Sequence, residues 1–326
     1  MKRRTKFLTA AVLTLGLVGC NGGNSDSANG EIDYPKRNIE VLVGHGAGGG
    51  TDLFVRTVTE QLEKELDVNF NVINQEGGAG VIAAQNAYSA DADGYTLIGD
   101  AAFPITTAAG TNKHGLDDIV PVARFQNDTY ALWVKKDEYE TIDQFLEAAK
   151  ADPKKISIGG TGSLGMDEIT VFLFGQETGL DFNFIPMNGS GEMHASIVGG
   201  HINAMVDEFG PTKSLYEDGS IVPLIVFSEE RIEGFEDVPT TVELGWNLTE
   251  GNERGFYVKK GTDQAIINKL EETMKKAYDS DAYKEFEKNN YLHLREGWLN
   301  SEDFTKRTEE LIAKYTEVMK ALQSKQ

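Results

Sequence analysis

One stretch, residues 39–59, constrains the fold more than any other part of the chain. It runs from an apolar, β-branched segment through a glycine-rich loop into a segment with the apolar spacing of a helix. A strand that passes through glycines into a helix directs the unpaired N–H groups of the first helical turn beyond the strand end. Those groups and the helix dipole favour an anion. The sequence therefore predicts an anion-binding loop on an α/β scaffold.

Strand and helix patterns alternate along the rest of the chain, which is typical of parallel, helix-covered sheets. Strands are predicted at 39–43, 68–74, 95–99, 130–134, 155–158, 182–186, 202–206 and 221–227. Helices are predicted at 53–66, 81–89, 141–150, 167–175, 193–199 and 266–277. A stripe at helical spacing near the C-terminus is interpreted as core packing, not as a site: Leu311, Tyr315, Met319 and Leu322.

The strand ends divide into two sets, each followed by loops rich in glycine or serine, so we predict two lobes with a ligand cleft between them. Ligands of such sheets lie beyond the carboxyl ends of the strands. The chain is expected to cross between the lobes near 125–130 and again near 252–256. We therefore assign 34–126 with 252–326 to lobe 1, and 127–251 to lobe 2.

The N-terminal segment has the pattern of a targeting signal. A basic start is followed by an apolar run at 7–18 and then by Gly19 and Cys20, the single cysteine of the chain. This resembles a bacterial lipoprotein signal at 1–20 in which Cys20 is lipidated; an ordinary signal peptide is the alternative. Residues 21–33, rich in Gly, Asn and Ser, are expected to be a flexible tether. These features predict an extracytoplasmic body held at the membrane by its lipid.

The charge of the chain excludes one class of partner. The formal net charge is −21 over 326 residues, and no basic patch is present to neutralise nucleic-acid phosphates. The hydrophobic content of 40% is ordinary for a globular protein and sufficient for one large or two medium domains. We therefore expect no nucleic-acid partner.

The first glycine loop satisfies the G-x-G-x-x-G pattern of dinucleotide-binding folds, since residues 44–49 read Gly-His-Gly-Ala-Gly-Gly. The acidic residue that would bind a ribose is not clearly placed, because the second predicted strand ends in Asn74. The glycines continue through Gly50, which favours a broad nest of amides. A P-loop is excluded, because neither Lys-Ser nor Lys-Thr follows the glycines. Thr51 and Asp52 are expected to cap the following helix.

Signatures of enzymes are missing from the sequence. Ser163 lacks the glycine two residues before it that a nucleophile elbow requires, and no histidine pair has the zincin spacing. His194 and His201 are interpreted as surface histidines. We therefore expect no catalytic residue, no cofactor and no metal. The alternative that stays open is a secreted α/β enzyme, either a dehydrogenase using the glycine loop or a hydrolase; a surface interaction protein is a third.

Ordered motifs along the chain resemble one known family. They are Tyr34-Pro35, Ala47-Gly48-Gly49-Gly50-Thr51-Asp52, Glu76-Gly77-Gly78-Ala79-Gly80, Asp93-Gly94-Tyr95-Thr96-Leu97, Pro121-Val122-Ala123, Gly199-Gly200-His201-Ile202 and Asp237-Val238-Pro239-Thr240-Thr241-Val242-Glu243-Leu244-Gly245. In this order and spacing they resemble the extracytoplasmic solute receptors of tripartite tricarboxylate transporters, the Bug or TctC-like family.

The resemblance implies a two-lobed, periplasmic-binding-protein type II fold that closes around a small organic carboxylate. In that family the first lobe and ordered waters hold one carboxylate through backbone amides, which here implies Ala47, Gly48, Gly49, Thr51, Asp52, Gly78, Ala79 and Gly80. The second lobe contacts the distal end of the ligand, here near Thr161, Gly162, Ser163, Asn188, Gly189 and Asp207. The receptor then docks on a permease of one large and one small membrane subunit, and we expect it to be a monomer.

The chain departs from the family pattern at both lobes. His45 stands where the family usually has Pro-Phe-x, so it either donates to a carboxylate or replaces an aromatic wall. The Lys and His that the family often has in the second lobe are missing, and Asp207 and Glu208 would repel a second carboxylate unless they face away. The ligand class therefore stays open among monocarboxylates, dicarboxylates and amino acids.

Overall fold

Ten strands and ten α-helices make up the computed structural model, which describes residues 32–153 and 155–324. The strands are β1 (Ile39–Val43), β2 (Phe70–Asn74), β3 (Thr96–Asp100), β4 (Ile119–Asn127), β5 (Tyr130–Lys135), β6 (Ser157–Thr161), β7 (Asn183–Met187), β8 (Ala204–Glu208), β9 (Ile221–Val226) and β10 (Glu253–Lys259). The helices are α1 (Gly50–Leu66), α2 (Val81–Ser89), α3 (Phe103–Ala108), α4 (Ile142–Ala151), α5 (Met166–Thr178), α6 (Ser190–Val198), α7 (Phe209–Glu217), α8 (Gln264–Asp279), α9 (Asp281–Asn289) and α10 (Ser301–Gln323).

The strands form two five-stranded sheets of the same topology. The first has the order β2-β1-β3-β10-β4 and the second β7-β6-β8-β5-β9. In the first sheet only β10 runs against its neighbours, and in the second only β5 does. The prediction of two mostly parallel, helix-flanked sheets is therefore confirmed. It follows that the loops after β1, β2 and β3 lie together at the carboxyl ends of the parallel strands of the first sheet. The loops after β6, β7 and β8 lie together at the corresponding ends in the second sheet.

The sequence pattern missed β4 and treated β10 as a crossing segment. β4 contains Pro121, which breaks the pattern of a central strand, but β4 lies at the edge of its sheet, where a proline costs no ladder hydrogen bond. β10 is inserted between β3 and β4 and pairs antiparallel with both. Pairing over such a distance along the chain leaves no local signal.

The chain passes from the first sheet to the second between β4 and β5 and returns before β10. The two crossings lie side by side, since the N–H of Asp128 donates to the carbonyl of Asn252 at 2.8 Å. A Cβ on Gly251 would run into the carbonyl of Asp128, so this approach requires glycine. The lobe boundaries at these crossings stay a prediction.

Apolar clusters cover both faces of the second sheet. The C-terminal stripe Leu311, Tyr315, Met319 and Leu322 is buried in one of them, which confirms its interpretation as core. α10 also contacts α3 and β4 of the first sheet, so the last helix packs on both sheets.

Helix α1 begins at Gly50, three residues before the predicted start. Its N-cap is Gly49, which has extended backbone and no side-chain cap, so the expectation that Thr51 and Asp52 cap the helix is wrong. The predicted signal segment, Cys20 and the tether through residue 31 lie outside the described residues. Nowhere in 32–153 or 155–324 is a helix both long and apolar enough to span a bilayer.

Candidate functional site

Two glycine loops of the first sheet, residues 44–49 after β1 and 75–80 after β2, lie in direct contact. A Cβ built on Gly44 would lie 2.2 Å from the Cα of Gly80, so the two backbones touch. The carbonyl of Val43 also accepts the N–H of Gln75 at 2.8 Å. The structure therefore brings the predicted first-lobe residues together at the carboxyl ends of β1 and β2, next to the start of α1.

Asp52 holds the first loop in shape. Its buried carboxylate accepts the N–H of Gly48 at 2.9 Å, Nε of Arg56 at 2.9 Å and Nδ2 of Asn74 at 2.9 Å. Burial alone would raise the pKa of Asp52, but these donors together hold it below its usual value. Asp52 is therefore an ionised, fully bonded carboxylate, and its role in the loop is positioning.

Several main-chain N–H groups of the first loop are already bonded. Gly48 donates to Asp52 at 2.9 Å, and Gly49 donates to the carbonyl of Gly46 at 3.2 Å. Among the described residues no acceptor is found for the N–H groups of Ala47, Gly50 and Thr51. The free donors thus lie at the start of α1, somewhat further along the chain than the glycine run suggested.

The second loop has an unusual backbone. Gly77, Gly78, Ala79 and Gly80 all have positive φ, at 135°, 59°, 52° and 91°. A left-handed run of this kind curls successive N–H groups toward one side, as in backbone nests that bind anions. In the part of the chain that the structure describes, the N–H groups of residues 78–80 have no acceptor. This loop is the second source of free donors beside α1.

His45, in the first loop, faces Asp100 at the end of β3. Nδ1 of His45 and Oδ1 of Asp100 are 3.8 Å apart, and both atoms are buried without a hydrogen-bond partner among the described residues. The rest of the imidazole stays about one-third exposed, at 34%. Burial lowers the pKa of His45 and raises the pKa of Asp100, although each partly offsets the shift of the other.

Thr161, at the end of β6, has both of its donors bound inside the second sheet. Its N–H and hydroxyl donate to Asp167 at 2.6 and 2.9 Å, and Tyr130 donates to the same carboxylate at 2.6 Å. Burial raises the pKa of Asp167 to about 6, against the effect of these donors. In this structure the donors of Thr161 are therefore not available to a ligand.

The raised pKa of Asp167 predicts a pH-dependent stability. Between about pH 4 and pH 6 the folded state keeps a proton that the unfolded state releases, so the free energy of unfolding falls as the pH rises. Relative to Asp167→Asn, the wild type should lose at most about 3 kcal/mol between pH 4 and pH 7. Urea unfolding followed by tryptophan fluorescence measures this, and the exposed Asp143, replaced by Asn, is the control. A difference that stays constant with pH would contradict it.

The other predicted residues of the second sheet are mostly surface groups. Gly162 donates to the carbonyl of Met187 at 2.8 Å, while the exposed Ser163 has no partner among the described residues. Asn188 is exposed, and both its N–H and its side-chain amide donate to Glu192 at 2.9 Å. Gly189 is the N-cap of α6. Ser163 is thus the one predicted second-lobe side chain left with a free hydroxyl.

The carboxylates of Asp207 and Glu208 are each bonded to a basic side chain, Asp207 to His194 and Glu208 to Arg254. Nε2 of His194 lies 2.6 Å from Oδ2 of Asp207, and the His194 side chain is 18% exposed. Interpreting His194 as a surface histidine was therefore wrong, whereas His201 is exposed as predicted. Burial raises the pKa of Asp207, and His194 opposes this.

Arg254 on β10 is the residue that the sequence analysis missed. Its guanidinium donates to Glu208 at 2.8 and 3.1 Å, to Asp128 and, through Nε, to the hydroxyl of Thr51 at 3.3 Å. Nδ2 of Asn252 also donates to Glu208 at 2.5 Å. Glu208 and Asp128 raise the pKa of Arg254 although its burial works against them. This cluster joins the end of β8 to the start of α1.

The position of the cluster explains why α1 begins with glycine. A Cβ on Gly50 would lie 2.7 Å from Nη2 of Arg254 and 3.3 Å from Oε2 of Glu208. Glu208 thereby places a second-sheet carboxylate near the helix N-terminus, where the dipole favours it. The two sets of loops therefore meet here, through Arg254 and Glu208, and not through Thr161 or Asn188.

A surface depression on the second lobe lies away from these loops. It has a volume of about 660 Å³ and is lined by residues at the ends of α4 and α5, including Lys150, Gln176 and Leu180. Helix C-termini expose carbonyl oxygens and a negative dipole end, which are unfavourable for a carboxylate. None of the predicted site residues lines this depression.

Two sheets of matching topology with free amides at the strand ends are typical of solute-binding proteins, and comparison with known sequences identifies the family. The profile described as "Tripartite tricarboxylate transporter family receptor", TctC, matches residues 54–323. The chain belongs to this family, as its motifs predicted.

Known relatives agree with this assignment. A protein of Cupriavidus necator, "UPF0065 protein in gbd 5'region", is 31% identical over 85% of this chain and 84% of its own length. The crystal structure of a TctC solute-binding protein from Polaromonas, without ligand, is 29% identical with a TM-score of 0.71, covering 88% of this chain and 99% of that one.

A more distant structure shows the same fold. MatC from Rhodopseudomonas palustris, solved with bound malate, is 21% identical with a TM-score of 0.78 and covers 88% of this chain and all of its own. The predicted two-lobed binding-protein fold is therefore confirmed. The family and its Polaromonas member are receptors, which confirms a role other than catalysis and removes the dehydrogenase and hydrolase alternatives.

Proposed function

We propose that this protein is an extracytoplasmic solute-binding lipoprotein that captures a small organic carboxylate by lobe closure. It would deliver the ligand to a tripartite transporter with one large and one small membrane subunit. Membership of the receptor family supports this proposal, and MatC provides a carboxylate ligand, malate, on the same fold.

One observation carries the choice of a carboxylate. Free main-chain N–H groups come from two neighbouring elements, the first turn of α1 at Gly50 and Thr51 and the left-handed run at 78–80. Two converging sets of amides suit the two oxygens of a carboxylate, and the dipole of the 17-residue α1 adds to them. The contact between Gly44 and Gly80 fixes the distance between the two sets.

The residues that we propose to touch the ligand follow from these contacts. In lobe 1 the ligand carboxylate would accept hydrogen bonds from the free main-chain N–H groups of Ala47, Thr51, Gly78, Ala79 and Gly80. Gly48, Gly49 and Asp52 shape the loop through bonds of their own. In lobe 2 we propose that Ser163, with the neighbouring Gly162, contacts the distal end of the ligand. The residues around that end would be Thr161, Asn188, Gly189 and Asp207.

A thermal-shift screen with mono-, di- and tricarboxylates and amino acids tests the proposal. At a concentration one hundred times its Kd, a true ligand stabilises the folded state by about 2.7 kcal/mol. We expect at least one compound to raise the Tm by about 5 °C, with calorimetry confirming a single site. A panel without any shift would contradict the proposal, and conversion of the ligand to product would indicate an enzyme.

A conservative variant locates the binding site. Thr51→Val keeps the shape of the buried side chain and removes the hydroxyl that accepts from Arg254. We propose that the proton of this hydroxyl donates to the ligand carboxylate, so affinity for the ligand found in the screen should fall by about fivefold, since one hydrogen bond contributes about 1 kcal/mol. Asp52 is unsuitable for this test, because its loss would free the N–H of Gly48 and the side chains of Arg56 and Asn74. Unchanged affinity in calorimetry would show that the Thr51 hydroxyl does not contact the ligand.

The lipid anchor and the delivery step have tests of their own. Mass spectrometry of the membrane-derived protein should find an acylated Cys20 at the N-terminus, and Cys20→Ser should release the protein from the membrane. Transport of the ligand in cells should require both membrane subunits together with this receptor. Uptake that persists without the receptor would contradict delivery while leaving ligand binding intact.

A further inference from the structure

The pair His45 and Asp100 has unmet hydrogen-bonding capacity beside the free amides. Asp100 is 4% exposed and ends β3, while His45 follows β1, the neighbouring strand. Oδ1 of Asp100 and Nδ1 of His45 are buried, and neither has a hydrogen-bond partner within the described residues. A Cβ on Gly80 would lie 3.2 Å from the same Oδ1, so the pair adjoins the left-handed loop.

The spacing of the two atoms shows what kind of group fits between them. At 3.8 Å they are too far apart to bond each other, but a nitrogen about 2.9 Å from each would bridge them. An ammonium beside Asp100 would oppose the effect of burial on its pKa and keep the carboxylate ionised, and an ionised carboxylate only accepts hydrogen bonds. A neutral imidazole that carries its proton on Nε2 accepts at Nδ1, which is the tautomer that the proposed subsite requires. Two acceptors require two donors on one atom, which an ammonium has and a hydroxyl lacks.

The surrounding charges also favour a cation at this position. The charged groups that face His45, besides Asp100, are Arg254, Glu208 and Glu76. Arg254 is already bonded to Glu208 and Asp128, so it brings no surplus positive charge. A carboxylate oxygen of Glu76 lies 3.1 Å from the position of a Cβ on Gly46. The pair therefore lies in an acidic environment, in which a second ligand carboxylate is repelled and an ammonium is attracted.

We propose that His45 and Asp100 form a subsite for the ammonium group of an α-amino carboxylate whose carboxylate is held by the amides of α1 and residues 78–80. This rests on the proposed function and narrows its ligand class to zwitterionic amino acids. An α-amino acid suits the arrangement, because its two charged groups are separated by one carbon and the subsite directly adjoins the amides. Asp100 is the charged partner, and His45 is the second acceptor.

Two sets of compounds that differ only at the α-position test the subsite. The first is 2-aminobutyrate, 2-hydroxybutyrate and butyrate, and the second is aspartate, malate and succinate. Calorimetry on the purified protein should find the amino compound of at least one set bound about tenfold or more tightly than its unsubstituted analogue. A charge-assisted hydrogen bond in a buried site has an effect of this size.

Variants of the pair assign this selectivity to its residues. In Asp100→Asn the preference for the amino compound over the unsubstituted one should fall below about threefold, while the affinity for the unsubstituted analogue stays within about threefold. His45→Gln should reduce the same ratio. Because the His45 side chain is partly exposed, this variant tests the subsite even if Asp100→Asn fails to fold. The matched control is Asp118→Asn, from the surface pair His114–Asp118 with atoms 3.0 Å apart.

The possible outcomes separate this inference from the proposed function. If in every set that binds the unsubstituted analogue binds as tightly as the amino compound, or if the ratio is the same in Asp100→Asn and Asp118→Asn, the subsite is overturned and the receptor role stands. Such a result would mean that the pair holds a water only. If no carboxylate of either kind binds, the proposed function fails and the subsite with it. A ratio lost in Asp100→Asn and kept in Asp118→Asn supports both.

Discussion

Replacing Arg254 by methionine is expected to lower the free energy of unfolding by about 3 to 5 kcal/mol, the usual cost of breaking a buried ion pair from one side. Arg254 has a 6% exposed side chain and is the cation for two buried carboxylates, Glu208 and Asp128. Methionine fills a similar volume without charge. Most of the loss therefore comes from leaving Glu208 and Asp128 close together without a counter-ion.

The pH dependence of this loss identifies its cause. Burial and the neighbouring Glu208 raise the pKa of Asp128, and Arg254 is the group that opposes them. Without Arg254 the folded-state pKa of Asp128 rises further, so the stability of the variant is present at low pH and is lost as the pH increases. Because the wild-type pKa of Asp128 is already raised to about 8, the difference between wild type and Arg254→Met should increase above about pH 8, which urea unfolding at pH 7 and pH 9 measures.

Arg231 provides the matched control. Its guanidinium makes a two-bond contact with Glu243 at 2.8 and 2.9 Å, but the two side chains are 43% and 40% exposed. Arg231→Met should have little effect on the free energy of unfolding, because exposed ion pairs contribute little. Equal losses in the two variants would show that the arginine stem, and not the buried charge, accounts for the effect.

The parts of the fold that the sequence predicted are those with local signals. β1, the glycine loop and α1 follow one another without interruption, so the periodicity of residues 39–59 was sufficient to place them. β4 and β10 lie apart in sequence and are joined only by pairing, and Pro121 obscured the first of them. Hydrophobic periodicity depends only on residues close together in the sequence, so it cannot predict pairing between distant strands.

The candidate site divides in the same way. The glycine loops were found because their residue types require special backbone geometry, which the left-handed run at 77–80 shows directly. Arg254, Asp128 and their pairing with Glu208 were not found, because the three residues come from β10, the β4–β5 connection and the end of β8. One signal was present: Arg254 lies inside the predicted crossing segment, where a charged side chain is close to both lobes.

Gly44→Ala is expected to weaken ligand binding roughly 100-fold while the protein stays folded. The added Cβ would lie 2.2 Å from the Cα of Gly80, and no side-chain rotation can relieve a contact between two backbones. The loops at 44–49 and 75–80 must therefore separate. A displacement of about 1 Å at a preorganised site weakens function roughly 100-fold, and the strain should lower stability by about 1 to 3 kcal/mol.

Gly115→Ala is the appropriate control for this variant. No atom lies within 4 Å of a Cβ at Gly115, and its φ is not positive, so alanine fits there without strain. Its affinity and stability should match the wild type in calorimetry and urea unfolding. If Gly44→Ala also kept wild-type affinity, the two loops could not be acting on one ligand group, because their separation would have no effect. The free amides of α1 and those of residues 78–80 would then belong to different sites, and a carboxylate held between them would be excluded.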